Sequence, residues 1–275
     1  MSFESTPGTA APATIRLRHL QQAKAQGRPF SMLTAYDQFA ARAFEAAGIE
    51  VLLVGDSVGT TVLGYDSTTS TTHQDMLTFT GAVARSVTRP LVVADLAFGT
   101  YEGGPEDALH HGVELMRAGA GAVKLEGGEE MAPQVRMLVR AGIPVFGHLG
   151  FTPQSVNSLS GHRVQGRDEA GAQKMREDAL ALQAAVALVI GLVLVRAAVG
   201  GSVSAALTVP TIGIGAGPDC DGQVLVWQDM AGLSGFHGKF VKTFADLRSQ
   251  LEQAAQQYRE EVSERTYPGP EHSFE

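Results

Sequence analysis

Short apolar runs alternate with amphipathic stretches along nearly the whole chain. The runs near 30–35, 51–55, 91–95, 122–126, 144–148, 188–195, 210–214 and 224–227 have the length and β-branched content of buried strands. Segments near 15–26, 37–47, 74–87, 105–118, 129–141, 171–185, 199–207 and 240–262 carry helical spacing. Ala47-Gly48, Ala118-Gly119 and Ala141-Gly142 each fall between a helical segment and the next run, where a glycine can end a helix. Eight strand–helix alternations in this length predict an α/β fold, the (β/α)8 TIM barrel, with a doubly wound open sheet as the alternative. The eighth strand is the most weakly marked. The barrel is expected over 14–265 as a single domain, with 1–13 a disordered tail and 266–275 a C-terminal tail.

Three of the runs end in an acid: Val51 to Asp56, Leu91 to Asp95, and Ala122 to Glu126. In a parallel barrel the C-terminal strand ends form the active-site face. An unpaired carboxylate in an apolar setting is very costly, so Asp56, Asp95 and Glu126 on successive strands point to a shared cation. Hard oxygen donors of this kind suit Mg²⁺. Lys124 lies two residues before Glu126 and therefore on the same face of its strand. Its ammonium can hold a substrate carboxylate or steady an oxyanion; the acids around it favour the charged form and speak against a Schiff base.

His148, at the end of the fifth run, is either a hydrogen-bond partner of substrate or a satisfied polar residue near the mouth. His110-His111 reads as a solvated helix face, and no pair of histidines has zinc-ligand spacing. Gly213-Ile214-Gly215-Ala216-Gly217 lacks both the GxGxxG pattern and a Walker lysine, so it reads as a glycine-lined strand exit.

Composition narrows the class. Apolar residues make up 44% of the 275, enough for one large core, and the formal charge of −8 argues against a nucleic-acid partner. The single cysteine, Cys220, rules out an intrachain disulfide and a cysteine-rich metal site, and suits a reducing, cytoplasmic setting. Residues 1–13 lack the basic start and apolar core of a signal peptide. The longest apolar stretch, 184–195, is interrupted by Gly191 and too short to span a bilayer. A soluble protein without membrane partner is expected.

Several blocks resemble one family. Thr34-Ala35-Tyr36-Asp37, Val54-Gly55-Asp56-Ser57, Ala94-Asp95, Val123-Lys124-Leu125-Glu126-Gly127-Gly128, Gly147-His148-Leu149-Gly150, Thr152-Pro153-Gln154-Ser155-Val156-Asn157, Val164-Gln165-Gly166-Arg167, Gly213 to Gly217 and Tyr267 to Ser273 are similar to ketopantoate hydroxymethyltransferases. The resemblance runs from about residue 14 to the C-terminus. It implies a barrel of the phosphoenolpyruvate/pyruvate-binding type, usually assembled as a homo-oligomeric decamer. The implied reaction moves a hydroxymethyl group from 5,10-methylenetetrahydrofolate to 3-methyl-2-oxobutanoate, giving 2-dehydropantoate on the route to pantothenate. Carried over by position, Asp56, Asp95 and Glu126 match the Mg²⁺ site, directly or through water. Asp56, Ser57, Asp95 and Lys124 match the keto-acid contacts, with His148 a further possible contact. The cation stabilises the enolate formed when the C3 proton leaves.

The sixth strand departs from that pattern. The family ends it with a glutamate that takes the proton, followed by Val-Pro and a helix. Gap-free alignment from Asp178-Ala179-Leu180 on one side and from Ser204 to Leu207 on the other puts Val193 at the glutamate and Val195-Arg196 at Val-Pro. No acid occurs from Val186 to Val203. Valine cannot titrate and Arg196 cannot accept a proton; losing a general base typically costs about 10²–10⁴ in rate. Gly200-Gly201 also weakens the following helix, by roughly 1 kcal/mol per glycine. The catalytic base is therefore unassigned, with a water or another acid such as Asp221 as substitutes. The resemblance implies an impaired transferase, against two alternatives: a binding or assembly homologue without efficient turnover, or a related Mg²⁺-dependent carbon–carbon lyase or aldolase.

Overall fold

The computed structural model describes residues 14–158 and 163–274; the expected tail at 1–13 lies outside the described residues. The chain divides into two compact units, residues 1–224 and 225–275, where the pattern of runs draws one domain over 14–265.

The first unit opens with α1 (Leu17–Ala25) and then alternates strands and helices. In order come β1 (Phe30–Thr34), α2 (Gln38–Ala46), β2 (Val51–Val54), the short α3 (Val58–Thr61), α4 (His73–Ala84), β3 (Leu91–Asp95) and α5 (Pro105–Ala118). They are followed by β4 (Ala122–Glu126), α6 (Ala132–Arg140), β5 (Val145–Gly150), α7 (Glu169–Ala184), β6 (Val189–Val193), α8 (Ala197–Ala206), β7 (Thr211–Ile214) and β8 (Gly222–Leu225). The eight strands close a parallel barrel in chain order. All eight predicted strands are present, and the open-sheet alternative is excluded.

Alternation fixes what faces inward. Phe30, Met32, Val51, Leu53, Leu91, Val93, Ala122, Phe146, Val189 and Ile212 form one buried cluster, with Leu20 and Ala23 of α1 packed into it. On β3 to β5 the next same-face residues toward the C-terminus are then Asp95, Lys124 and Glu126, and His148, and on β6 they are Gly191 and Val193. The apolar lower layers thus end in a polar upper layer, built by register: Glu126 pairs with His148 and His148 with Gly191.

Residues 186–203, the segment that departs from the family pattern, form β6 and most of α8. Three features mark how the segment is built. At the end of α7 the Val186 N–H bonds the Gln183 carbonyl and the Ala187 N–H bonds the Leu182 carbonyl, a Schellman ending with Val186 at φ 69°. The same pair of bonds ends α2 and α6, where glycines, Gly48 and Gly142, take φ 85°. Leu194, directly after β6, also sits at positive φ, 48°. In α8 the expected cost of glycine is offset by packing: a Cβ on Gly200 would lie 2.3 Å from the Ala216 carbonyl oxygen.

The second unit contains α9 (Trp227–Met230) and α10 (Leu247–Ser263). The Phe244 N–H bonds Met230 O and the Leu247 N–H bonds Ala231 O. The helix predicted from 240 begins instead at 247, because Asp246 caps it by accepting from Ser249 N. No residue of α10 is buried, and Leu251, Tyr258 and Val262 are exposed. No helix among the described residues is long and apolar enough to cross a membrane.

Candidate active site

The predicted residues meet at the C-terminal ends of β2 to β5. Asp56 follows β2, Asp95 ends β3, Lys124 and Glu126 lie on β4, and His148 lies on β5. The four side chains other than Lys124 belong to buried residues, and the Lys124 side chain is 12% exposed. Lys124 Nζ lies 2.7 Å from Asp95 Oδ1, while Asp95 Oδ2 accepts from the Asp56 backbone N–H at 3.0 Å. His148 Nδ1 lies 3.1 Å from Glu126 Oε1 and its Nε2 2.9 Å from the Phe151 carbonyl oxygen. The ring can donate to both only when both nitrogens carry hydrogen. Ser57 is reached through a 2.7 Å contact with the Tyr36 hydroxyl.

Two residues that the sequence left without a role bind this group together. Gln154 sits in the short turn after β5. Its Nε2 donates to Asp56 Oδ2 (2.9 Å) and Leu96 O (3.0 Å), and its backbone N–H donates to Glu126 Oε2 (3.0 Å). Its side-chain Oε1 accepts from the Tyr101 hydroxyl at 2.5 Å, and that hydroxyl also accepts from the Glu126 N–H at 3.3 Å. Thr71 completes the frame by donating to Asp56 O at 2.8 Å.

The electrostatics follow from three acids sharing one ammonium. Burial pushes the Asp56 carboxyl well above its ordinary range, and the neighbouring Asp95 and Glu126 charges push the same way. Burial also raises Asp95, although Lys124 opposes it. For Glu126, burial is outweighed by His148 and Lys124, which hold it low. Burial would lower Lys124, but Asp95, Glu126 and Asp56 overcome it and keep the ammonium charged. Burial lifts the Tyr36 hydroxyl to about 12, so it serves as a neutral hydrogen-bond partner.

This donor set fits a hard divalent cation: the side chains are carboxylates, buried, and short of positive charge. The geometry says how it would be held. Among the described residues, the group that brings one ligand atom from each of three residues within 4.8 Å is His110, His111 and Glu114, not these three acids. Asp56, Asp95 and Glu126 would therefore share an ion with water or substrate oxygens completing its shell, as is usual for Mg²⁺.

Val193 pairs with Gly150 and Ile214 and shares the inward face of β6 with Val189. The strand end that faces the mouth from β6 thus carries no proton acceptor. Asp221 cannot replace one. It precedes β8 at the opposite, N-terminal end of the strands, bound to Lys24 Nζ (2.8 Å) and to the N–H of Thr211, the first residue of β7 (2.8 Å). The Gly213–Gly217 segment is a close-packed strand exit as expected, with a Cβ on Gly217 falling 2.5 Å from the Ala197 Cβ.

A closed parallel (β/α)8 barrel with buried carboxylates and a lysine at its C-terminal mouth defines an enzyme scaffold of the type that gathers its catalytic groups on strand ends. Solved structures of that class share the fold. The phosphonopyruvate hydrolase complex with oxalate and Mg²⁺ has a TM-score of 0.62 at 14% identity, covering 94% of this chain and 93% of that one. The 2,3-dimethylmalate lyase, a PEP mutase/isocitrate lyase superfamily member, has a TM-score of 0.58 at 18% identity, covering 94% and 91%. The family model for ketopantoate hydroxymethyltransferase matches residues 14–270. Proteins named 3-methyl-2-oxobutanoate hydroxymethyltransferase are 53% identical in Thermobifida fusca (97% of this chain, 96% of the relative) and 51% identical in Leifsonia xyli (98% and 97%). The chain belongs to the ketopantoate hydroxymethyltransferase family.

Proposed function

We propose that this chain transfers a hydroxymethyl group from 5,10-methylenetetrahydrofolate to 3-methyl-2-oxobutanoate, giving 2-dehydropantoate, and that its proton-abstraction step is slow. The observation that carries the reading is the buried Asp95–Lys124 pair beside Asp56 and Glu126, at the barrel mouth of a member of this family. In the reaction the C3–H bond of the keto acid breaks and its proton leaves. The enolate carbon bonds to the donor's methylene carbon. Water supplies the hydroxyl oxygen, and tetrahydrofolate departs.

Each residue has a part in this scheme. The Lys124 ammonium meets the substrate carboxylate and the charge that develops on the keto oxygen. Asp56, Asp95 and Glu126 would hold a divalent cation, Mg²⁺, which when bound would supply Lewis-acid polarisation of the keto acid. Gln154 and Tyr101 keep Asp56 and Glu126 at fixed orientation, and Tyr36 orients Ser57 toward the substrate. His148 is pinned by Glu126 and the Phe151 carbonyl beside the same pocket. Val193 offers no atom to receive the C3 proton, so water must take it, at a cost of about 10²–10⁴ in rate. The single, buried Cys220 supports a reducing, cytoplasmic setting. The exposed Leu251, Tyr258 and Val262 on α10 support assembly as a homo-oligomer, in which a partner copy covers them.

The test is product formation from both substrates with Mg²⁺, read by mass spectrometry. Slow, Mg²⁺-dependent 2-dehydropantoate that disappears in Asp95→Asn is expected. Keto acid bound with no product on long incubation would overturn the transferase reading in favour of a binding homologue, which Val193 makes the specific rival.

A further inference from the structure

The outer face of the barrel carries a group of metal-ligating side chains unconnected with the strand ends. His110, His111 and Glu114 lie on α5, with Glu114 four residues after His110 and three after His111, so that it neighbours both histidines on the helix surface. One ligand atom from each lies within 4.8 Å of the other two. The rings of His110 and His111 meet edge to face at 5.1 Å, and His73, the first residue of α4, meets His111 in the same way at 4.6 Å.

The surrounding hydrogen bonds orient these groups as a metal site requires. His111 Nδ1 lies 2.9 Å from both the Thr100 and Asp107 carbonyl oxygens. Both are acceptors only, so Nδ1 carries the hydrogen and the lone pair is on Nε2. A ligating histidine whose other nitrogen donates to a backbone carbonyl is the common arrangement at protein-bound metals. Glu114 is held in turn: His73 Nε2 lies 2.8 Å from its Oε2. That contact requires the hydrogen on Nε2 and leaves the buried His73 Nδ1 without a hydrogen-bond partner. His73 thus acts on the carboxylate and not on an ion. His110, whose side chain is 70% exposed, is free to swing toward Glu114 Oε2, now 3.9 Å away.

We propose that His110, His111 and Glu114 form a second cation site, suited to a borderline divalent transition ion of the zinc class, with His73 positioning Glu114. The donor set of two imidazoles and one carboxylate selects Zn²⁺, Ni²⁺ or Cu²⁺ over Mg²⁺, which the strand-end carboxylates prefer. Metal–ligand bonds of about 2.0–2.2 Å put tetrahedral donors roughly 3.4 Å apart. The exposed His110 can rotate to close its 3.9 Å separation from Glu114. Three protein ligands leave the fourth position open to water. The site is independent of the barrel mouth and does not rest on the proposed reaction.

The test titrates Zn²⁺ into the tag-free, chelator-stripped full chain in excess Mg²⁺, by calorimetry and by competition with a chromogenic chelator. One Zn²⁺ per chain is expected to persist in millimolar Mg²⁺. Binding should be lost in His110→Ala/His111→Ala and in Glu114→Gln, and unchanged in Asp95→Asn. Affinity should weaken by about 10–100-fold in His73→Phe. X-ray absorption at the zinc edge of the wild-type complex should show scattering from two imidazoles, which keeps the proposal testable if a variant misfolds. No Zn²⁺ bound in excess Mg²⁺, binding that survives the double histidine substitution, binding lost in Asp95→Asn, or an all-oxygen zinc shell would each overturn it.

Discussion

Lys124→Met removes the one ammonium that faces three buried acids, and its consequence for stability can be worked from the site. The pair it breaks is short, 2.7 Å, with side chains 12% and 3% exposed. Removing one partner of a buried pair costs about 3–5 kcal/mol, because the remaining charge is left uncompensated. Asp95 can limit that loss by taking a proton. Starting from its ordinary value of 3.8, neutralisation at pH 7 costs about 4.4 kcal/mol at 1.36 kcal/mol per pH unit, which caps the deficit. At pH 5 the same cap is about 1.6 kcal/mol. The direction follows from linkage: without Lys124 the folded-state pKa of Asp95 lies above its unfolded value. The penalty is therefore full at high pH and fades as pH falls toward 3.8. Equilibrium urea unfolding at pH 7 and pH 5, in chelator to remove divalent ions, measures it. We expect a deficit of about 3–4 kcal/mol at pH 7 that shrinks to about 1.6 kcal/mol or less at pH 5. An equal deficit at both pH values, or none at either, would refute the charge balance described for the site.

Other predictions concern the scaffold. Glu45 accepts from the Thr88 and Arg89 N–H groups at 2.8 and 2.7 Å; burial opposes these bonds, but they prevail and hold its pKa low. Its contribution is present above the unfolded pKa and lost as pH falls through the lower folded one, so Glu45→Gln should weaken the fold at pH 7 but match wild type in acid. A constant difference across that range would contradict this. Val186→Gly relieves a left-handed valine, worth about 1–2 kcal/mol, against a glycine entropy cost of about 0.5–1 kcal/mol. A small rise in thermal midpoint is expected, and a fall would show that the valine contacts matter more. Gly200→Ala should destabilise despite roughly 1 kcal/mol of better helix propensity, because its Cβ meets the Ala216 carbonyl. A stabilised variant would mean that α8 moves away at little cost.

Much of this architecture was legible because barrels repeat one simple rule. Buried parallel strands read as short apolar runs, so all eight were found, and alternation within β4 put Lys124 and Glu126 on one face. Helices of four residues, α3 and α9, are too short for a 3.6-residue period to register. Gln154 and Tyr101 show no role in the sequence because their partners lie 25 to 98 residues away, and only the closed barrel brings them together. In the sequence His110-His111 reads only as a solvated helix face, because the groups that orient it with Glu114 are the Thr100 and Asp107 carbonyls and the distant His73. Asp221 shows the converse. As an acid beside a strand it resembled the others, but it precedes β8 and so lies at the wrong end of the barrel.

The central claim is that the site holds and polarises a keto acid but lacks a base at Val193. Solvent-deuterium incorporation at C3 of 3-methyl-2-oxobutanoate, without the folate donor and with Mg²⁺, isolates that step. The account predicts slow exchange in the wild-type chain. In Val193→Glu exchange should rise, recovering part of the about 10²–10⁴ lost with a general base; recovery stays partial because Leu194 and the glycines of α8 remain. Fast wild-type exchange that Val193→Glu leaves unchanged would contradict it.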